Sequence, residues 1–231
     1  MTEPDVSGTA LVVAADVTKR FKERRLWSGL SFNVEPGQMM AVLGQSGSGK
    51  TTLLNCIGAL DTIDDGLLIV DGLDVRRLAG RGRRQFFRQT VGFLFQNYAL
   101  IDSWTVSRNL DVALDHLRGG SKEKHRRKSE MLERLGLSDV IDQPVYSLSG
   151  GEQQRVALAR LMLKEARVLL VDEPTSALDD GNAALLAELL LERCAGGAAV
   201  VISTHDPRVI TRSHSTLRLT ETSRENAHVP Q

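Results

Sequence analysis

The chain has 231 residues, 42% of them hydrophobic and 25% charged, which excludes a disordered or fibrous polymer and fits one domain or one domain with a substantial insertion. Lys plus Arg and Asp plus Glu each number 29, so the formal charge is zero and a general nucleic-acid coat has no support. No apolar run approaches the roughly 18–20 residues that span a bilayer, the N-terminus lacks the features of a signal peptide, and Cys56 and Cys194 have no CxxC spacing, so the chain reads as soluble and cytosolic with ordinary reduced thiols.

Residues 1–9 and 220–231 are polar, contain Pro and lack periodicity, as expected for flexible ends. Between them, short β-rich runs fall at Leu11–Val17, Leu30–Val34, Met39–Leu43, Leu67–Val70, Val91–Phe95, Val168–Val171 and Ala198–Ile202. Several are apolar without alternation, the pattern of strands buried on both faces of a parallel sheet. Helices are predicted at Lys50–Ala59, Val106–Leu117, Ser121–Leu135, Gly151–Leu163 and Gly181–Arg193, and the order favours an α/β core. From about 97 to 164 the pattern is helix, helix, loop, helix without a strand, which suggests a helical subdomain inserted between core segments 10–96 and 165–219. Two basic runs, Lys122–Lys128 and the group Arg76, Arg77, Arg81, Arg83, Arg84 and Arg88, read as solvated faces. The functional alternative is contact with anionic lipid head groups or an acidic partner.

Gly44-Gln45-Ser46-Gly47-Ser48-Gly49-Lys50-Thr51 fits G-x-x-x-x-G-K-[ST], follows the apolar run Met39–Leu43, and is followed by Thr52. Glycines let the backbone curl so that successive N–H groups face phosphate oxygens, and the helix starting near Lys50 adds its positive end. Lys50 is placed to reach the β- and γ-phosphates of a nucleoside triphosphate, and the Thr51 hydroxyl to ligate Mg²⁺. A second apolar run ends in Asp172-Glu173. Neighbouring strand side chains point oppositely, so the two acids need different tasks. Asp172 is suited to hold Mg²⁺, and Glu173 to orient or deprotonate an attacking water.

Leu148-Ser149-Gly150-Gly151-Glu152-Gln153-Gln154-Arg155 closely resembles the LSGGQ signature of the ATP-binding-cassette (ABC) ATPases, with Glu152 in place of the usual Gln. Physically this is a Ser-Gly-Gly turn that opens a helix and presents bare N–H groups. Other landmarks follow in order: Gln96 at the Q-loop position, Ser176-Ala177-Leu178-Asp179 resembling the D-loop, His205 at the switch-histidine position, and Phe21 at the aromatic A-loop position that stacks on adenine. The resemblance covers about Leu11 to Leu219.

The resemblance implies a RecA-like P-loop NTPase core with an antiparallel β subdomain and an inserted α-helical subdomain, using ATP and Mg²⁺. Two such domains pair head to tail with two ATP molecules between them. Ser149, Gly150 and Gly151 then meet the γ-phosphate held by the other copy, Asp179 links the two sites, and Gln96 and His205 sense the γ-phosphate in cis. Glu173, His205, Gln96 and Lys50 are thus the expected catalytic group. Thr51, Gln96 and Asp172 are the expected metal ligands. A lone cassette without a membrane span is expected to work with a separate multi-span permease, peripherally on the cytoplasmic face of a bacterial membrane.

Val91-Gly-Phe-Leu-Phe-Gln96-Asn-Tyr-Ala-Leu-Ile101 is similar to the macrolide-exporter and lipoprotein-release branch, and most to lactococcin-type bacteriocin exporters. The expected cargo is accordingly a bacteriocin-like peptide, with lipoprotein release, macrolide efflux or cell-envelope signalling as alternatives. A soluble ABC ATPase acting on ribosomes or DNA usually carries two cassettes or a long coiled-coil insertion. A P-loop small-molecule kinase leaves the Ser-Gly-Gly turn and His205 unexplained.

Overall fold

The computed structural model describes residues 10–22, 24–115, 120–174 and 180–219. In chain order the elements begin with β1 (Val12–Phe21), β2 (Arg24–Val34), β3 (Met39–Leu43), α1 (Lys50–Ile57), β4 (Asp65–Val70), β5 (Leu73–Asp74), α2 (Gly80–Gln85) and β6 (Val91–Leu94). They continue with α3 (Val106–Leu114), α4 (Ser121–Arg134), α5 (Gly150–Leu163), β7 (Val168–Asp172), α6 (Asp180–Ala195), β8 (Ala199–Ser203), α7 (Pro207–Ile210) and β9 (Ser215–Arg218). The antiparallel sheet runs β2-β1-β4-β5 and the parallel sheet β6-β7-β8-β3-β9.

Every residue of β3, β7 and β8 is buried, because helices or the second sheet cover both faces. The strand period of two divides these residues between two cores. Met39, Ala41, Leu169, Val171, Val200 and Ile202 face a cluster that includes Leu110 of α3, Leu132 of α4, Val156 and Leu161 of α5, and Leu189 of α6. Met40, Val42, Val168, Leu170, Ala199 and Val201 face the other, with Leu53 and Ile57 of α1 and Val12, Val17, Leu68 and Val70 of the antiparallel sheet. At roughly 1.5–3 kcal/mol per buried large aliphatic side chain, this double-sided burial is what makes the central strands rigid.

Both free cysteines are buried in these cores. Burial pushes the Cys56 thiol up to about 12 and Cys194 to about 11, so both stay protonated at neutral pH.

Several boundaries differ from the apolar pattern. β1 and β2 extend well past Val17 and before Leu30, because antiparallel pairing with register shifts carries the ladder on to Phe21↔Arg24 after the residues turn polar. β5, β9 and α2 carry no apolar run. β9 buries little besides Leu217, and its place comes from parallel pairing with β3. Between Gln96 and α5 there is no strand among the described residues, only an isolated bridge between Thr105 and Pro144.

The basic run on α4 is largely satisfied within the chain. Arg126 and Arg127 pair with Glu123, Glu130 and Glu165, while buried Lys128 reaches Ser107 Oγ and Asp111 Oδ1, each at 2.7 Å. No described helix is long and apolar enough to cross a membrane. The flexible-end expectation and the segment Ser176–Asp179 lie outside the described residues.

Candidate nucleotide site

The C-terminal ends of β3, β7 and β8 lie side by side, with Asp172 opposite Ser203 in the ladder and Val42 opposite Ser203 on the other side. Ligands of open parallel sheets bind beyond this edge, and here three loops leave it together. Gly44–Gly49 follows β3, Glu173 follows β7, and His205 follows β8.

Those loops converge on one ammonium group. Lys50 Nζ donates to Gly44 O at 2.8 Å and Gln45 O at 3.4 Å, and lies 3.2 Å from Glu173 Oε1 and 3.1 Å from His205 Nε2. His205 Nε2 is itself 3.3 Å from Glu173 Oε1. Lys50 is buried while His205 is exposed, so the triangle sits at the mouth of the site. Glu173 has φ 46°, in the left-handed region that a glutamate rarely adopts, which turns its side chain away from the strand direction.

The loop is shaped for an anion. A Cβ on Gly44 would lie 2.5 Å from Ser48 Oγ and 2.8 Å from Leu219 O, so only glycine lets the chain pass. Gly49, at φ 93°, opens α1 without any side-chain cap and with no acidic residue in the first turn. The first N–H groups of that helix therefore lack an intrahelical acceptor. Ser48 Oγ is buried and has no hydrogen-bond partner among the described residues. An uncapped helix start, an orphaned hydroxyl and a lysine together fit a phosphate group. A cavity of about 600 Å³ adjoins the loop, lined by Gly44, Gln45, Ser46, Ser48, His205 and Arg218 among others.

Asp172 is buried, and its Oδ1 accepts from Ser203 Oγ at 2.5 Å. The same hydroxyl accepts from Glu173 N at 3.0 Å, so Ser203 spans both acids. Thr51, Gln96 and Asp172, the expected metal ligands, offer oxygen donors of the kind that suits Mg²⁺, but only Asp172 is buried at this strand edge, while Thr51 and Gln96 are exposed.

The remaining sequence candidates are not gathered here. Phe21 ends β1 and is 65% exposed. Gln96 lies on an exposed turn, and its side chain makes no hydrogen bond among the described residues. Ser149 caps α5 in a capping box: Glu152 Oε2 accepts from Ser149 N at 2.8 Å and Ser149 Oγ at 2.7 Å. Those hydrogen bonds hold the Glu152 carboxyl below its usual range. Ser149 and Gly150 are exposed, and nothing lies within 4 Å of where a Gly150 Cβ would stand. The turn therefore presents open backbone rather than a contact with its own phosphate loop. Asp179 lies outside the described residues.

Three residues join the motifs without having been singled out by them. Besides Ser203, buried Gln154 on α5 donates to the carbonyl of Pro174, the residue after Glu173. Arg160 on the same helix donates to the carbonyls of Tyr98 and Ala99 in the turn after Gln96. The only sequence sign of Ser203 is a hydroxyl residue ending an apolar run.

A second cavity, of about 660 Å³, lies between the helical segment and the core, bordered by Phe87, Arg88, Trp104, Arg108, Val112 and Lys164. Arg108 stacks 4.0 Å over the Trp104 ring, and Val112 is 57% exposed. Tyr98 and Leu100 pack against the core, whereas Ile101 is exposed.

Burial pushes the Lys164 ammonium down to about 8, with the Arg160 charge acting in the same direction. The ordinary value of 10.5 applies to the unfolded chain, so between these limits the unfolded state binds more protons. Stability should therefore rise as pH climbs from about 8 to 10.5, by on the order of 1–3 kcal/mol. Lys164→Met is expected to flatten that rise in urea midpoints taken across the window. An equal rise in both proteins would contradict the assignment.

Residues 27–176 match the family model described as ABC transporter. The chain is 36% identical over 213 residues to a macrolide export ATP-binding/permease protein MacB of Hyphomonas neptunium, covering 90% of this chain and 33% of that protein. It is 39% identical over 197 residues to MacB 1/2 of Paracoccus denitrificans, covering 85% of this chain and 30% of that one. The chain thus spans about a third of the length of the curated relatives it matches. Among solved structures, the dimeric cassette MJ0796 in a post-hydrolysis state with ADP and Pi superimposes with a TM-score of 0.84 at 30% identity, covering 93% of this chain and 97% of that one. The relatives named are macrolide exporters, and the bacteriocin expectation gains no support from them. With the P-loop NTPase fold shared along nearly its whole length with such a cassette, the chain belongs to the ABC transporter family and is an ATPase cassette of that family.

Proposed function

We propose that this cassette hydrolyses MgATP between two head-to-tail copies and so powers efflux of a macrolide-like compound through a multi-span permease. The observation that carries the catalytic part is the convergence of Lys50, Glu173 and His205 at the ends of three adjacent parallel strands. The dimeric state of the MJ0796 cassette and the permease portion named in the MacB relatives support the pairing and the partner.

On this reading the N–H groups opening α1, the Ser48 hydroxyl and Lys50 take the phosphate oxygens of ATP. Lys50 pairs with Glu173, so phosphate binding draws the ammonium away and releases the carboxylate. Glu173 then accepts a proton from the water whose oxygen attacks the γ-phosphorus, the bond to the bridging oxygen breaks, and ADP leaves with phosphate. His205, at hydrogen-bond reach of Lys50, reads whether the γ-phosphate is present. Thr51, Gln96 and Asp172 would hold Mg²⁺, which would supply charge neutralisation at the phosphate oxygens. Ser203 holds Asp172 and the Glu173 backbone in register, and the exposed Ser149-Gly150-Gly151 turn supplies N–H groups to the nucleotide of the other copy.

The groove bearing Trp104, Arg108 and Val112 is the proposed seat of the permease. It is concave and partly apolar, and its Trp104 is tied by its backbone N–H to the carbonyl of Ile101, at the end of the segment that follows Gln96. Tagged protein recovered from native membranes with ATP should bring down a multi-span membrane protein at matching stoichiometry. Val112→Asp should reduce that recovery about tenfold, since a buried unpaired carboxylate is costly at an interface. Recovery of ribosomal or DNA-bound proteins instead would overturn the export reading. Cells lacking the chain should accumulate macrolide; a defect confined to peptide export would restore the bacteriocin alternative.

A further inference from the structure

The turn that follows Gln96 is bent into a conformation it does not favour on its own. Tyr98 and Ala99 both have positive φ, at 61° and 47°, and neither is glycine. An L-residue in this region is strained by its own Cβ, so something outside the turn must hold it. Two side chains do. Arg160 Nη1 donates to Ala99 O at 2.6 Å and Nη2 to Tyr98 O at 2.7 Å. Buried Asn109 on α3 accepts from Ile101 N at 2.8 Å and donates to Ile101 O at 3.1 Å.

Arg160 has no carboxylate partner among the described residues; its charge is directed at two successive peptide carbonyls. The planar guanidinium fork suits that geometry, and a lysine offers only a point charge. The position of Arg160 in the chain gives the contact further meaning. It lies in the last turn of α5, the helix that starts at the Ser149-Gly150 turn and whose Gln154 reaches the Pro174 carbonyl beside Glu173. Eleven residues of helix separate Ser149 from Arg160, roughly 16 Å at the helical rise. One rigid element thus touches three motif segments.

We propose that Arg160 is a positioning residue for Gln96, clamping the turn at residues 97–99 to α5 so that Gln96 and the Ser149-Gly150-Gly151 turn move as one body. This rests on the reading of Gln96 as a group that meets MgATP. Under it, α5 is the rod that sets the geometry of the cis contact made by Gln96 and the trans contact made by the turn at its own N-terminus. Asn109 fixes the far end of the loop and leaves its near end to Arg160.

The test uses the full chain as wild type, Arg160→Met, Arg160→Lys, Gln96→Ala and the double variant Gln96→Ala/Arg160→Met. Arg160→Met should lower kcat for phosphate release about 10- to 100-fold, the scale of a small misplacement of a reacting group, while the Kd for MgATP changes less than about threefold. Arg160→Lys should recover part of the loss, and if Arg160→Met fails to fold, Arg160→Lys carries the same comparison. The double variant should be no slower than Gln96→Ala, because both changes disable one device. Amide exchange supplies a readout apart from turnover. In the wild type, MgATP should slow exchange at residues 97–101 and 149–153 together; in Arg160→Met the first protection should be lost and the second kept. Wild-type kcat in Arg160→Met, or losses that multiply in the double variant, would overturn the positioning role. A wild-type chain that does not bind MgATP would overturn the functional reading beneath it.

Discussion

Glu173→Gln is expected to lower the rate of phosphate release about 10²- to 10⁴-fold, the range for removing a general base, with MgATP affinity kept or tightened. The amide has the shape of the carboxylate but takes no proton from water. Affinity is kept because Glu173 Oε1, 3.2 Å from Lys50, competes with phosphate for the ammonium, and the substitution removes that competitor. The Glu173 backbone N–H contacts to Ser203 Oγ and Ser203 O do not depend on its carboxylate and should survive. The thermal shift on adding ATP should thus be larger in Glu173→Gln than in the wild type. Single-turnover hydrolysis and a thermal-shift titration read the two halves separately; unchanged hydrolysis contradicts the assigned base.

Lys50→Ala has the opposite signature. It removes the charge that pairs with Glu173 and the ammonium that ties the loop to Gly44 O at 2.8 Å. A charge-assisted contact contributes about 1.5–3 kcal/mol, so MgATP affinity should fall roughly 10- to 150-fold. The two variants separate binding from chemistry: Lys50→Ala chiefly raises Kd, whereas Glu173→Gln chiefly lowers kcat. Equilibrium dialysis with labelled ATP decides it, and a Kd within twofold of the wild type would place the phosphates elsewhere.

The parts of the site legible in sequence are those whose chemistry is local. Gly44–Thr51 places a tight glycine loop, an uncapped helix start and a lysine within eight consecutive residues, and Asp172-Glu173 ends an apolar strand. Ser203, Gln154 and Arg160 act through partners 31, 20 and 61–62 residues away, and no spacing rule joins them. The same division holds for the fold. β3, β7 and β8 show as apolar runs because both faces are covered, whereas β9 owes its place to register with β3. The segment around Gln96, whose likeness points to a bacteriocin cargo, packs Tyr98 and Leu100 against the core. Likeness at such positions reports how the helical segment packs and says little about what is carried.

The proposed site is composite, and two copies complete it. Its most direct test is the solution mass of Glu173→Gln with and without MgATP, by light scattering on a sizing column. The expected mass is roughly twice the 25.3 kDa chain mass with MgATP and the single-chain mass without it. Ser149→Arg, which blocks the exposed turn, should prevent the shift. A nucleotide-loaded Glu173→Gln chain that stays at single-chain mass would contradict the composite site.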